Sequence, residues 1–335
     1  MTWEISKKAN LAFEVQLFNK LNINADFYQE RRSNILMNRA DIPSTMGLTA
    51  PVRANVGEAS GRGMDISMDY SESFKNGFWL TLRGDFTYAT SRYEVYEEPV
   101  YKEYWKSHVG QPLNQPYGYI AERLFADDSE VANSPTQSFG GPAVIAGDIK
   151  YLDVNGDGEI TSLDQVPIGF PTVPEIIYGG GFSFGYKHFD LSAFFQGSAR
   201  SSFWTGSNGG PATIEPFVGG RQILKVYAED HFSVSNPNLY ALWPRLSDTY
   251  SVNNMQFSTW WLNNGSFLRL KQLEMGYTLP EKLTNRFGMS TLRFYVSGTN
   301  LLLFSRFKLW DVEMGGNGLG YPIQRVVNFG VNLTF

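Results

Sequence analysis

Along much of this chain apolar side chains recur at every second position. That period suits strands with two unlike faces and no other regular element. Ala9, Leu11, Phe13, Val15 and Leu17 alternate with polar partners, as do Leu21, Ile23, Ala25 and Phe27. Met64, Ile66, Met68 and Tyr70 follow the same rule, then Phe78, Leu80, Leu82, Phe86 and Tyr88. Phe182, Phe184 and Tyr186 lead through a short turn to Phe189, Leu191, Ala193 and Phe195. The chain closes with Leu292, Phe294 and Val296, then Val327, Phe329, Val331, Leu333 and Phe335. Between 266 and 278 the phase breaks, since Leu268 and Leu270 are out of step with Leu273, Met275 and Tyr277; a bulge near Lys271-Gln272 would reconcile them. About nine strands result.

Such strands could pair into a soluble sandwich with the apolar face inward. Three features favour a membrane barrel instead. The polar face carries ionisable groups (Glu14, Asp26, Asp65, Asp69, Arg83, Asp85, Asp190), as a wet lumen would. Aromatics such as Trp79, Tyr88, Tyr186, Tyr277 and Phe335 fall near strand ends, where interface girdles sit. Connections alternate between short turns, at Asn19, Lys75-Asn76-Gly77 and Lys187-His188, and long segments near 31–60, 92–175 and 198–265. Short periplasmic turns and long extracellular loops are the asymmetry of outer-membrane barrels. An odd strand count that ends on the short-turn side leads us to expect further strands ahead of the first.

Composition removes other classes. There is no cysteine, which excludes disulfides, iron–sulfur clusters and cysteine nucleophiles. A net charge of −5 gives no nucleic-acid footprint. The three histidines are scattered and offer no zinc pattern, and no Ser/His/Asp arrangement can be assembled, so a catalytic site is not expected. No apolar run reaches the length of a membrane helix.

The segment Gly147-Asp148-Ile149-Lys150-Tyr151-Leu152-Asp153-Val154-Asn155-Gly156-Asp157-Gly158-Glu159-Ile160 resembles one in the SusC/RagA family of TonB-linked outer-membrane transporters. So do Pro174-Glu175-Ile176-Ile177-Tyr178-Gly179, Phe194-Phe195-Gln196-Gly197, Phe267-Leu268-Arg269-Leu270-Lys271 and Gly276-Tyr277-Thr278-Leu279-Pro280. The ending Asn328-Phe329-Gly330-Val331-Asn332-Leu333-Thr334-Phe335 fits as well. The matches run from about Trp3 to Phe335 and occur in order. The resemblance implies an all-β fold: about nine antiparallel strands, the C-terminal part of a larger barrel of roughly 22 strands. By the same resemblance, the plug and the TonB-contacting segment would lie outside 1–335, the complete protein would partner a SusD-like surface lipoprotein, and Phe335 would be the C-terminal signal read during barrel assembly.

Within the 92–175 loop, residues 153–164 carry the most chemical pattern. Asp153, Asn155 and Asp157 stand at positions 1, 3 and 5 of an EF-hand-type calcium loop, Gly158 at 6, the Glu159 carbonyl at 7 and Asp164 at 12. The bland alternative is an Asp/Asn/Gly turn cluster without an ion. Both long loops are rich in aromatics, including Trp105, Tyr117, Trp204, Phe217, Trp243, Trp260 and Trp261. These rings could contact a substrate or a lid. The competing reading, favoured for most single positions, is that large loops need a core of their own. What the SusC/RagA resemblance implies as the function is nutrient import of an oligosaccharide or peptide. A passive structural or adhesive barrel is the alternative, and a soluble calcium-dependent glycan-active protein fits less well.

Overall fold

The computed structural model describes residues 2–40, 42–205 and 222–335. Nine strands form one antiparallel sheet in sequence order: β1 (Ile5–Leu17), β2 (Leu21–Asn38), β3 (Arg53–Ser73), β4 (Phe78–Val95), β5 (Ile176–Tyr186), β6 (Phe189–Ala199), β7 (Phe267–Thr278), β8 (Thr291–Ser305) and β9 (Val326–Thr334). Every strand pairs with its neighbour in the chain. The sheet is open, with β1 and β9 at its edges. No helix among the described residues is long and apolar enough to cross a membrane.

Register makes one face apolar from edge to edge. Phe13 lies opposite Ala25, Ala25 opposite Ile66, and Ile66 opposite Phe86. Farther along, Phe189 faces Tyr277, Tyr277 faces Phe294, and Phe294 faces Val331. These side chains stay open: Met275 is 44% exposed, Phe294 47% and Val331 56%. A soluble sandwich would cover such a face, whereas lipid is the solvent that suits it. On the other face polar groups meet. Asn24 lies near Ser67, Arg83 Nε is 3.2 Å from Asp69 Oδ1, and Arg293 donates to both Asp190 and Glu274. The charged lumen candidates Asp69, Arg83 and Asp190 thus pair locally. Glycines on this face receive neighbouring rings, and a Cβ on Gly185 would come within 2.3 Å of the Trp79 indole. Trp79 therefore lies on the polar face beside Gly185, not in an apolar girdle.

The phase break in β7 is a bulge. Leu270 and Gln272 pair with consecutive residues Phe195 and Phe194 of β6, which leaves Lys271 unpaired. Across β8 the same step skips two residues, from Leu302 to Thr299, and Asn300 there takes a left-handed φ of 55°. The second hairpin departs from expectation. Pairing of β2 with β3 continues to Asn38 and Arg53, so the connection is only 39–52 rather than the whole of 31–60. Alternation fails over this extension because both faces are wet and charged: Arg31 binds Glu58 at 2.7 Å, and Arg32 binds Glu30 and Glu4. A ladder needs no apolar face where no lipid touches it.

Turns on one side of the sheet are short, at 18–20, 74–77 and 187–188, with a longer helical one at 279–290. The described residues of the connections 39–52, 96–175, 200–266 and 306–325 all lie on the opposite side. The buried core belongs to these loops more than to the sheet.

Candidate functional site

The two longest loops fold onto one another to form a cap. Its apolar centre joins Tyr119, Leu124, Ile149, Tyr151 and Ile160 of the first loop to Tyr227, Phe232, Ala241, Trp243 and Trp261 of the second. Short ladders stiffen it: Ile149–Tyr151 pairs with Ala121–Leu124, Val166–Pro167 with Tyr117–Gly118, and Ser202–Trp204 with Leu262–Asn264. An aromatic chain runs through the centre, with the Trp243 ring tilted against Tyr227 at 4.4 Å and against Trp261 at 4.9 Å.

A buried polar clasp locks the two loops. Asp148, 1% exposed, takes Arg245 Nε at 2.7 Å, Asn254 Nδ2 at 2.8 Å and the Ile145 amide at 3.0 Å. The next residue, Ile149, gives its amide to Asn254 Oδ1 and receives Asn253 and Gln137 on its carbonyl. Tyr151 donates its hydroxyl to the Asn253 carbonyl at 2.7 Å, and Trp261 donates its indole N–H to the Asn254 carbonyl. Burial drives the Tyr151 phenol well above its ordinary range, so it remains a donor at any ordinary pH. Asn253 and Asn254 were not singled out in the sequence. Lone asparagines in a polar loop carry no signal until their partners, over a hundred residues away, are known.

Gly147 precedes this clasp with φ +83°, and a Cβ there would stand 2.2 Å from the Phe232 ring. Beside it, Glu130 joins Arg123 at 2.6 Å and Lys150 at 3.0 Å. The Arg123 hydrogen bonds chiefly hold the Glu130 carboxyl down to about 2. Where the cap meets the wall, buried Glu175 accepts from Thr90 on β4 and Arg200 beyond β6, each at 2.6 Å.

The 153–164 loop is closed by its own carboxylates. Asp153 accepts the Gly156 and Gly158 amides at 2.7 and 2.8 Å. Asp157 takes the Glu159 amide and the Asn155 side chain. Asp164, fully buried, accepts from Val154 and Thr161 at 2.9 and 2.8 Å. Among the described residues no three acidic or histidine side chains converge at metal-binding range. Of the groups the sequence assigns to calcium, the side chains of Asp153, Asn155, Asp157 and Asp164 all accept from backbone amides.

The aromatic candidates divide. Trp243 and Trp261 are 2% and 3% exposed and have no face to offer a substrate or lid; this corrects their assignment as contact residues, because the cap uses them as core. Trp204 and Trp260 pack against that core and are half-buried. Trp105 is half-buried and donates to the Leu163 carbonyl, tying the Asp153–Asp164 loop to the rim. Tyr117 packs at a tilt 4.9 Å from His108 and donates to the Ser107 carbonyl; burial first, then the Glu98 charge, pushes its phenol up to about 12. Phe217 lies outside the described residues. Phe335 directly follows β9 and is 82% exposed.

Residues 306–325 carry no motif that singles them out in the sequence. This loop buries Arg269 of β7, 2% exposed, against Asp311, whose two oxygens accept at 2.5 and 2.7 Å. Glu313 pairs with the same guanidinium. On the polar wall, Gly181, Ser183 and Ser192 leave a recess of about 340 Å³ beside Arg83 and Phe194.

No protein-family model matches the chain. Over its whole length the chain is 26% identical to TonB-dependent receptor P3 of Formosa agariphila and covers 34% of that protein. It is 26% identical, again over its whole length, to TonB-dependent receptor P26 of the same organism, covering 35%. Among solved structures, the RagAB peptide importer in its 'open-open' state matches all of this chain with a TM-score of 0.69 at 21% identity, over 35% of that chain. That likeness is one of fold. The chain spans about a third of the length of each of these relatives.

Proposed function

Because the chain is a barrel portion of a SusC/RagA-type TonB-dependent receptor of the outer membrane, we propose that it forms the wall and outer cap of a port that imports an oligosaccharide or a peptide. The observation that carries this reading is the pairing of one bilayer-facing sheet with a heavily built loop cap on one side only. A passive barrel needs no cap with its own core and buried clasp. The polar face with its recess near Arg83 is the lumen lining on this view, and the cap is where cargo is first held. A surface lipoprotein closing over the cap and energy drawn through TonB belong to the same proposal. The test is uptake of labelled oligosaccharides and peptides by cells with and without the intact receptor. Receptor-dependent uptake abolished by an uncoupler supports import; unchanged uptake on deletion of the receptor sinks it, and surface attachment without uptake favours an adhesive barrel.

Calcium at Asp153, Asn155, Asp157, Glu159 and Asp164 stays part of the proposal on its spacing alone. The amide-bound carboxylates weigh against it, and a calorimetric titration of the intact receptor without Ca²⁺ heat removes it. Phe335 is proposed as the assembly signal, and its deletion should lower the yield of folded receptor in the membrane.

A further inference from the structure

Under the 306–325 loop lies a cavity of about 270 Å³, lined by Arg269, Asn300, Leu303, Ser305, Lys308, Trp310, Asp311 and Arg325 among others. It faces the lumen side. Leu303 and Ser305 alternate along β8 with Leu302 and Phe304, which are 50% and 57% exposed on the apolar face. It lies at the loop end of the wall, close to the cap, since Phe307 packs 5.0 Å from Phe203.

Its charges are unequal. Arg269 is matched by Asp311 and Glu313, and both Asp311 oxygens are held by that guanidinium. Lys308 and Arg325 form no hydrogen bond or ion pair among the described residues. The cavity therefore presents two uncommitted cations against one carboxylate already neutralised. Asn300, one of its lining residues, carries an unmet acceptor. Asn300 sits at the β8 irregularity with φ 55° and gives its Nδ2 to the Gln324 carbonyl, while its Oδ1 is buried without a partner. A buried acceptor without a donor is costly, and a ligand hydroxyl or N–H is one way to satisfy it. Trp310 is fixed by its indole bond to the Gly315 carbonyl at 2.7 Å and supplies a rigid apolar wall.

We infer that this cavity is a subsite for an oxyanion group of the cargo, a carboxylate or its equivalent, with a hydrogen-bond donor on a neighbouring atom. Lys308 and Arg325 take the charge and Asn300 Oδ1 takes the donor. A sugar acid and a peptide C-terminus share this chemistry. The inference deepens the import reading and rests on it.

The experiment titrates the intact receptor with D-glucuronate, with N-acetylglycine and with uncharged glucose. Glucuronate or N-acetylglycine should bind and glucose should not, and the charged probe that binds better identifies the source of the anion. Added salt should weaken binding, since the two cations are exposed. A Lys308→Ala/Arg325→Ala double variant should lose about tenfold or more in affinity. Both side chains are on the surface, so folding should survive; Asn300→Gly keeps the backbone conformation, removes the acceptor and should weaken the same probe. Equal binding by the double variant, or binding of neither charged probe above that of glucose, overturns the subsite. Energy-dependent uptake in cells reads the import proposal separately: a transporter that still imports while binding no anion loses only the subsite.

Discussion

Asp148 shows how much one buried carboxylate can organise. Its three partners come from its own loop and from the loop that follows β6, and the residues beside it are shaped to fit. Gly147 is the clearest case. Gly147→Ala would place a methyl group against Phe232 in a backbone region that alanine avoids. We expect a loss of about 1–3 kcal/mol in cap stability, seen as faster proteolysis within 96–175 while the wall stays protected. Glu130 makes the cap sensitive to acid. Its folded value, about 2, is below the ordinary 4.5, so its ion pairs stabilise fully above about 4.5 and are lost as pH falls toward about 2. Hydrogen exchange of 123–150 should rise across that window, and Glu130→Gln should remove the dependence. At this scale the sequence was only partly legible. The Asp/Asn/Gly spacing of 153–164 was visible, but the same oxygens suit either a cation or backbone amides, and geometry alone showed the amides engaged. The aromatic richness of the loops was visible too, yet composition does not say which rings turn inward.

Elements within the bilayer were the most legible part, because lipid on one side and polar groups on the other enforce a period of two. The β7 bulge could be read for the same reason: an apolar set that changes phase must gain a residue. Deleting Lys271 should only remove the bulge, since Leu268 and Leu270 then alternate directly with Leu273 and Met275, whereas deleting the paired Glu274 should carry Met275 and Tyr277 onto the polar face. We expect the intact receptor to fail in barrel assembly only in the second case, seen as loss of its heat-modifiable band on a gel. The upper halves of β2 and β3 were not legible. Above the membrane both faces are solvated, charged residues occupy them, and only the backbone ladder remains. The 306–325 loop was missed on similar grounds. Its organising contact is a single arginine on a distant strand.

For the whole molecule, the two faces of the sheet meet different solvents, and a matched pair of substitutions tests this. Phe329→Arg places a charge on the apolar face of β9, and Asn328→Arg places the same charge on the polar face. The first should cost about 2–4 kcal/mol near the bilayer centre and the second far less, as measured by urea unfolding of the intact receptor in vesicles. Equal costs would mean that lipid does not touch this face. The clasp between Asp148-Ile149 and Asn253-Asn254 bears on how the molecule comes into being. Its halves are separated by 105 residues or so, with β5 and β6 between them. Contacts so distant along the chain form late and slowly. Until the later loop arrives, the earlier one holds Asp148 without its Arg245 and Asn254 partners and the bare Ile149, Tyr151 and Leu124 side chains with nothing to cover them. The outer surface of this protein is thus finished after its wall, and during that interval a chaperone at the mouth of the nascent barrel would meet a sticky, half-made lid.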